Sequence, residues 1–174
     1  MAMEYYNVNK NQVKGRSAKE EIFISWQYPQ NGFFKINIDG FSNDDGFAGI
    51  DGVIRDESGA FVACYWKHIF KNNNNVAEVL AIRDGLRLAV DLGLHYLEVE
   101  SDSSYVVQLC NEEVQPNWDC FGLLKEISGL KSRFSQVKIQ QRYREANKVA
   151  DKYRLKMELL EIMKTFGLTI CQTF

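Results

Sequence analysis

Three strand-like runs follow one another with only short turn-forming stretches between them, and each later strand-like run is reached through a helical one. Strands joined by tight turns pair antiparallel, whereas strands joined through a helix return parallel by a right-handed crossover. A chain with both kinds of connection is held to a mixed sheet. From Phe33 to Asp39, the positions Phe33, Lys35, Asn37 and Asp39 alternate with Phe34, Ile36 and Ile38, the pattern of a half-buried strand. Residues 40–46 read as a turn-rich loop and Ala48–Arg55 as a second strand. Residues 56–59, Asp-Glu-Ser-Gly, read as a hairpin turn and Ala60–Trp66 as the returning strand.

The polar tract Asn72–Asn75 can cap a helix, and Val76, Val79, Leu80, Leu86 and Val90 then recur at helical spacing until Gly93 stops it. Tyr96–Glu100 reads as a fourth strand, and Ser101-Asp102-Ser103 can cap a short helix over Tyr105–Asn111. Pro116 breaks the chain before a helical pattern over Cys120–Phe134. Gln136–Tyr143 alternates as a last strand, and a final helix runs from Glu145 to about Leu160. These elements define an α/β chain: a mixed five-stranded sheet with helices on its faces. The ends of its first and fourth strands can lie side by side. Residues 1–30 read as an N-terminal arm, 31–160 as the domain and 161–174 as a C-terminal tail.

With 174 residues, 45% of them hydrophobic and 25% charged, the chain can build one ordinary globular core. No apolar run approaches the roughly 18 residues of a membrane span. The first thirty residues carry neither a secretory h-region nor a clear transit signal. Cys64, Cys110, Cys120 and Cys171 show no paired short spacing, which favours reduced thiols over a zinc site, and so a nuclear or cytoplasmic setting. A net charge of -2 is low for a nucleic-acid binder, yet Arg142, Arg144, Lys148, Lys152, Arg154 and Lys156 crowd one segment against Glu145 and Asp151. That segment is either a solvated helix face or a phosphate-contacting surface.

Four carboxylates draw the chemistry together. Asp39 and Asp102 end strand-like runs, Glu78 sits among Val76, Ala77, Val79 and Leu80, and Asp151 lies in the last helix. Each alone has an ordinary explanation. Asp39-Gly40 can open a turn, Glu78 can favour the helix dipole, Asp102 can cap a helix, and Asp151 can pair with Lys148 or Arg154. If the four converge, they call for hard divalent cations, and the matching chemistry is phosphoryl transfer.

The strings Lys35-Ile36-Asn37-Ile38-Asp39-Gly40, Gly52-Val53-Ile54-Arg55-Asp56-Glu57-Ser58-Gly59 and Ala77-Glu78 ahead of Ala81-Ile82-Arg83-Asp84-Gly85-Leu86 occur in order and at fitting separations. Val99-Glu100-Ser101-Asp102-Ser103 and Arg144-Glu145-Ala146-Asn147-Lys148-Val149-Ala150-Asp151 complete the series. Together they resemble ribonuclease H, specifically the plant ribonuclease H-like domains related to those of retroelements. The resemblance implies the sheet order 3-2-1-4-5 with strand 2 antiparallel and helices on both faces. It implies an endonuclease that hydrolyses the RNA strand of RNA/DNA hybrids with two Mg2+ ions, for which Mn2+ can substitute. Asp39 would bridge the two ions, Asp151 would hold the ion that activates water, and Glu78 and Asp102 would hold the ion at the leaving oxygen. Two cations about 4 Å apart suit an in-line displacement. RNA would be told from DNA by its 2′-hydroxyls along the minor groove. Asn43 is a candidate contact to a 2′-hydroxyl or phosphate; Arg144, Lys148 and Lys152 are candidate phosphate contacts.

The chain also departs from that pattern. The position ten residues before Asp151, often histidine in the family, is Gln141, which carries no proton at neutral pH. Phe41 stands where many members have a small hydroxyl residue, and residues 42–46 form an acidic loop. These departures define a second reading: a nucleic-acid-binding module of the same fold with impaired turnover. A third is a protein-interacting scaffold. Trp66 and Trp118 read as packing residues rather than base-stacking platforms.

Overall fold

The computed structural model describes residues 26–42, 48–70, 73–116 and 118–143. They form β1 (Phe34–Ser42), β2 (Ala48–Arg55), β3 (Phe61–Ile69), α1 (Asn74–Asp91), β4 (Tyr96–Ser101), α2 (Ser104–Cys110), α3 (Trp118–Lys131) and β5 (Gln136–Gln141). The five strands make one sheet in the order β3-β2-β1-β4-β5. β1 pairs antiparallel with β2, and β2 with β3, while β1 pairs parallel with β4, and β4 with β5. This is the mixed sheet that the connections demand. The helix expected after Glu145 lies outside the described residues.

Local chemistry sets the element ends. At the β2–β3 turn, Asp56 Oδ1 accepts hydrogen bonds from the Ser58 and Ala60 backbone N–H groups, both at 2.9 Å, and Gly59 takes a positive φ. Asn73 caps α1, its side chain accepting from the Val76 N–H at 2.8 Å. Gly93, at φ 70°, closes the other end, with its N–H bonded to the Val90 carbonyl.

The core lies between the sheet and α1. Ile36, Ile38, Ile54, Leu97 and Val99 meet Val79, Ile82 and Leu86, all essentially inaccessible to water. Burying such side chains stabilises the fold by about 1.5–3 kcal/mol each. Gly85 permits the close approach, since a Cβ there would stand 2.7 Å from Ile36 Cδ1. α3 adds Ile127 and Cys120 to the same core.

The structure departs from the expectations in several places; among them, β5 ends at Gln141 rather than Tyr143, and α3 runs from Trp118 to Lys131 rather than from Cys120 to Phe134. β1 does not end at Asp39 but runs on to Ser42, because Gly40, Phe41 and Ser42 pair with Ile50, Gly49 and Ala48. β3 likewise continues to Ile69, the partner of Ala48. β1 is not half-buried: Lys35 and Asn37, on its polar face, are as deeply covered as Ile36 and Ile38. Trp66, read as a packing residue, leaves 56% of its surface exposed on β3.

Gly40 marks a close approach of sheet and helix backbones. A Cβ there would stand 2.5 Å from both the Ala77 carbonyl carbon and the Glu78 backbone nitrogen. Gly40→Ala therefore forces α1 away from β1 and is expected to destabilise the protein by about 1–3 kcal/mol, read by urea unfolding. A neutral result would mean that the two backbones do not pack this closely.

Candidate metal centre

In parallel β1 and β4, Asn37 lies opposite Glu100, so the next residues on the same face, Asp39 and Asp102, come together at the carboxyl ends of the strands. The chain leaves β1 toward β2 and leaves β4 toward β5. The crevice between β1 and β4 is thus a topological switch point, where open α/β sheets place ligands. α1 brings the third carboxylate. Its second turn crosses Gly40, whose N–H donates to Glu78 Oε1 at 3.3 Å, while the Ser101 hydroxyl donates to Glu78 Oε2 at 3.0 Å. One carboxylate oxygen from each of Asp39, Glu78 and Asp102 lies within 4.8 Å of the others.

The ordinary explanations for these acids fail one by one. Asp39-Gly40 opens no turn, since both residues lie within β1. Glu78 is buried and directed at the sheet rather than serving the helix dipole in solvent. Ser103, not Asp102, caps α2, accepting from the Val106 N–H at 3.3 Å. No local sequence signal marks the role of Ser101, whose hydroxyl orients Glu78 and also accepts from the Ser103 N–H at 3.1 Å. Gln141, the last residue of β5, directs its side-chain amide at the Asp102 carbonyl, 3.5 Å away. Asp151, Asn43, Arg144, Lys148 and Lys152 lie outside the described residues.

Burial, and then the negative charges of Asp102 and Asp39, push the Glu78 carboxyl up to about 8. The Ser101 and Gly40 hydrogen bonds pull the other way but do not prevail. Three carboxyl groups offering oxygen donors, one of them buried, fit a hard divalent cation and suit no soft metal. Such a cation must displace the Glu78 proton in order to bind.

A family model described as reverse transcriptase-like matches residues 37–153, which span all four carboxylate positions. The chain belongs to this family of ribonuclease H-like domains. An Arabidopsis thaliana protein provisionally named a ribonuclease H protein is 29% identical over 153 residues, covering 86% of this chain. The chain spans 25% of that relative's length. Among solved structures, the N-terminal RNase H domain of a Mycobacterium tuberculosis protein is 27% identical with a TM-score of 0.63, covering 67% of this chain and 91% of that one. LC11-RNase H1, isolated from compost and crystallised with an RNA/DNA hybrid, is 26% identical with a TM-score of 0.61, covering 68% and 91%.

The raised carboxyl fixes the sign of a pH effect. Between 4.5, its ordinary value, and about 8, the folded chain holds a proton on Glu78 that the unfolded chain has released. This contribution to stability is complete below about pH 4.5 and disappears as pH passes 8. Without divalent ions, the unfolding midpoint is expected to fall by several degrees from pH 5 to pH 8, and Glu78→Gln to flatten that decline. An equal decline in Glu78→Gln would assign the effect to other groups.

Proposed function

We propose that this chain is a metal-dependent endoribonuclease that hydrolyses the RNA strand of RNA/DNA hybrids. The convergence of Asp39, Glu78 and Asp102 at the switch point of a ribonuclease H-like sheet carries the reading. The likeness to LC11-RNase H1, which was crystallised with such a hybrid, supports the substrate class. Two Mg2+ ions are the proposed cofactor, with Mn2+ as a substitute and Asp151 as the fourth carboxylate. Bound ions of this kind stabilise the entering and leaving oxygens of an in-line displacement and lower the pKa of a coordinated water.

The chain's own part is to hold and orient. Asp39 and Asp102 present carboxylates from the sheet edge, and Glu78 faces them with its geometry set by Ser101 and Gly40. Arg144, Lys148 and Lys152 are proposed to hold phosphates of the hybrid, and Asn43 to reach a 2′-hydroxyl or phosphate.

Two observations favour a second reading, the binding module with impaired turnover. Gln141 stands beside Asp102, where it can donate a hydrogen bond but carry no proton. Phe41 lies over Gly49 on the same strand as Asp39, where a Cβ on Gly49 would meet its ring carbon at 2.6 Å, and it remains 49% exposed.

One experiment separates the readings. Labelled hybrid, duplex RNA and duplex DNA are offered to the protein with Mg2+ or Mn2+, beside Asp39→Asn, Glu78→Gln and Gln141→His. The enzyme reading expects cleavage of the hybrid alone, a loss of about a hundredfold or more in the two carboxylate variants, and faster turnover in Gln141→His. Binding of hybrid without cleavage in every protein supports the module. Neither binding nor cleavage overturns both readings.

A further inference from the structure

Behind the carboxylate cluster, along the same two central strands, lies a second polar cluster. Lys35, Asn37, Glu98 and Glu100 are each at most 4% exposed, on the sheet face that carries Asp39 and Asp102. Glu100 is its hub. Its Oε1 accepts from Lys35 Nζ at 2.8 Å, Arg142 Nε at 3.0 Å and Gln140 Nε2 at 3.3 Å, and its Oε2 accepts from Asn37 Nδ2 at 2.9 Å. Lys35 Nζ also lies 3.4 Å from Glu98 and donates to the Gln27 carbonyl at 2.8 Å. Trp26 seals the cluster, donating from Nε1 to Asn37 Oδ1 at 2.8 Å, with its ring centroid 5.6 Å from Lys35 Nζ and 5.2 Å from Arg55 Cζ.

A buried ionic cluster of this kind is weak evidence of stabilisation, because desolvation offsets most of the attraction. Its placement points to another use. The β1–β4 ladder pairs Phe34 with Leu97 through Asn37 with Glu100 and goes no further. Asp39 and Asp102 lie two residues further on, about 7 Å along each strand, so the spacing set at Asn37 and Glu100 is passed directly to them. At the end of the ladder Asn37 Nδ2 donates to Glu100 Oε2, joining the two strands by their side chains as well as their backbones. Arg142 fastens the exit of β5 to the same carboxylate, and its N–H bonds the Ser101 carbonyl at 2.9 Å.

We propose that Glu100, through Asn37 and Arg142, is a positioning residue that sets the spacing of Asp39 and Asp102, and that Trp26 completes the device from outside the family-matched span 37–153. The inference rests on the reading above only in taking Asp39 and Asp102 as metal ligands. Groups that orient ligands in this way typically govern metal affinity by about 10–100-fold.

The test measures Mn2+ affinity from the free-ion electron paramagnetic resonance signal, with thermal unfolding of the same samples. Glu100→Gln is expected to weaken Mn2+ binding about tenfold or more. Trp26→Phe keeps an aromatic cover and loses only the N–H bond to Asn37, so about threefold is expected. Ile127→Val, in the remote core of α3, is expected to lower the unfolding midpoint and leave Mn2+ affinity unchanged. Should Glu100→Gln fail to fold, Trp26→Phe carries the test. Wild-type affinity in the folded cluster variants, or an equal loss in Ile127→Val, overturns the positioning role alone. Failure of the wild-type protein to bind Mn2+ overturns both this inference and the proposed function.

Discussion

The contact between two backbones at Gly40 determines what the rest of this structure can do. Only a residue without a side chain lets the second turn of α1 settle on the end of β1, and that contact carries Glu78 to the edge of the sheet. The apolar packing of Ile36 and Ile38 beneath Gly85 supports the same approach one helical stretch further along. Placing Glu78 opposite Asp39 and Asp102 works against folding, since it gathers like charges at a partly dry edge. Hydrophobic burial elsewhere in the interface offsets this cost. The fold thus retains a local electrostatic conflict that a divalent cation would relieve.

The two acidic clusters on the central strands resolve their charge differently. Glu98 and Glu100 are met by the cations of Lys35 and Arg142. Glu78 is met by two neutral donors, a backbone N–H and a serine hydroxyl, which orient a carboxylate without neutralising it. The first arrangement neutralises its carboxylates within the protein; the second leaves a carboxyl pushed up to about 8.

Much of the framework was legible before any coordinates. Asn73 and Gly93 bound α1 as local capping chemistry requires, and β2 spans Ala48–Arg55, the bounds read from the sequence. The strand order came from the family resemblance; periodicity alone established only a mixed sheet. What local reading missed was tertiary. Asp39-Gly40 carries a turn signal, yet pairing with β2 keeps the strand going to Ser42. Lys35 and Asn37 looked solvent-facing because alternation marks polarity, whereas residues 26–30 lie against that face. Ser101 and Ser103 were equal rivals of Asp102 for the helix cap, and only geometry separates the orienting serine from the capping one. Of the four carboxylates, three converge; Asp151 lies outside the described residues.

The central claim is that Asp39, Glu78 and Asp102 jointly bind a divalent cation. Anomalous diffraction from crystals grown with Mn2+ tests it directly. The account predicts a manganese peak in direct contact with oxygens of all three carboxylates, absent from Glu78→Gln crystals under the same conditions. A crevice without a peak, or manganese seated instead at Glu98 and Glu100, would contradict it.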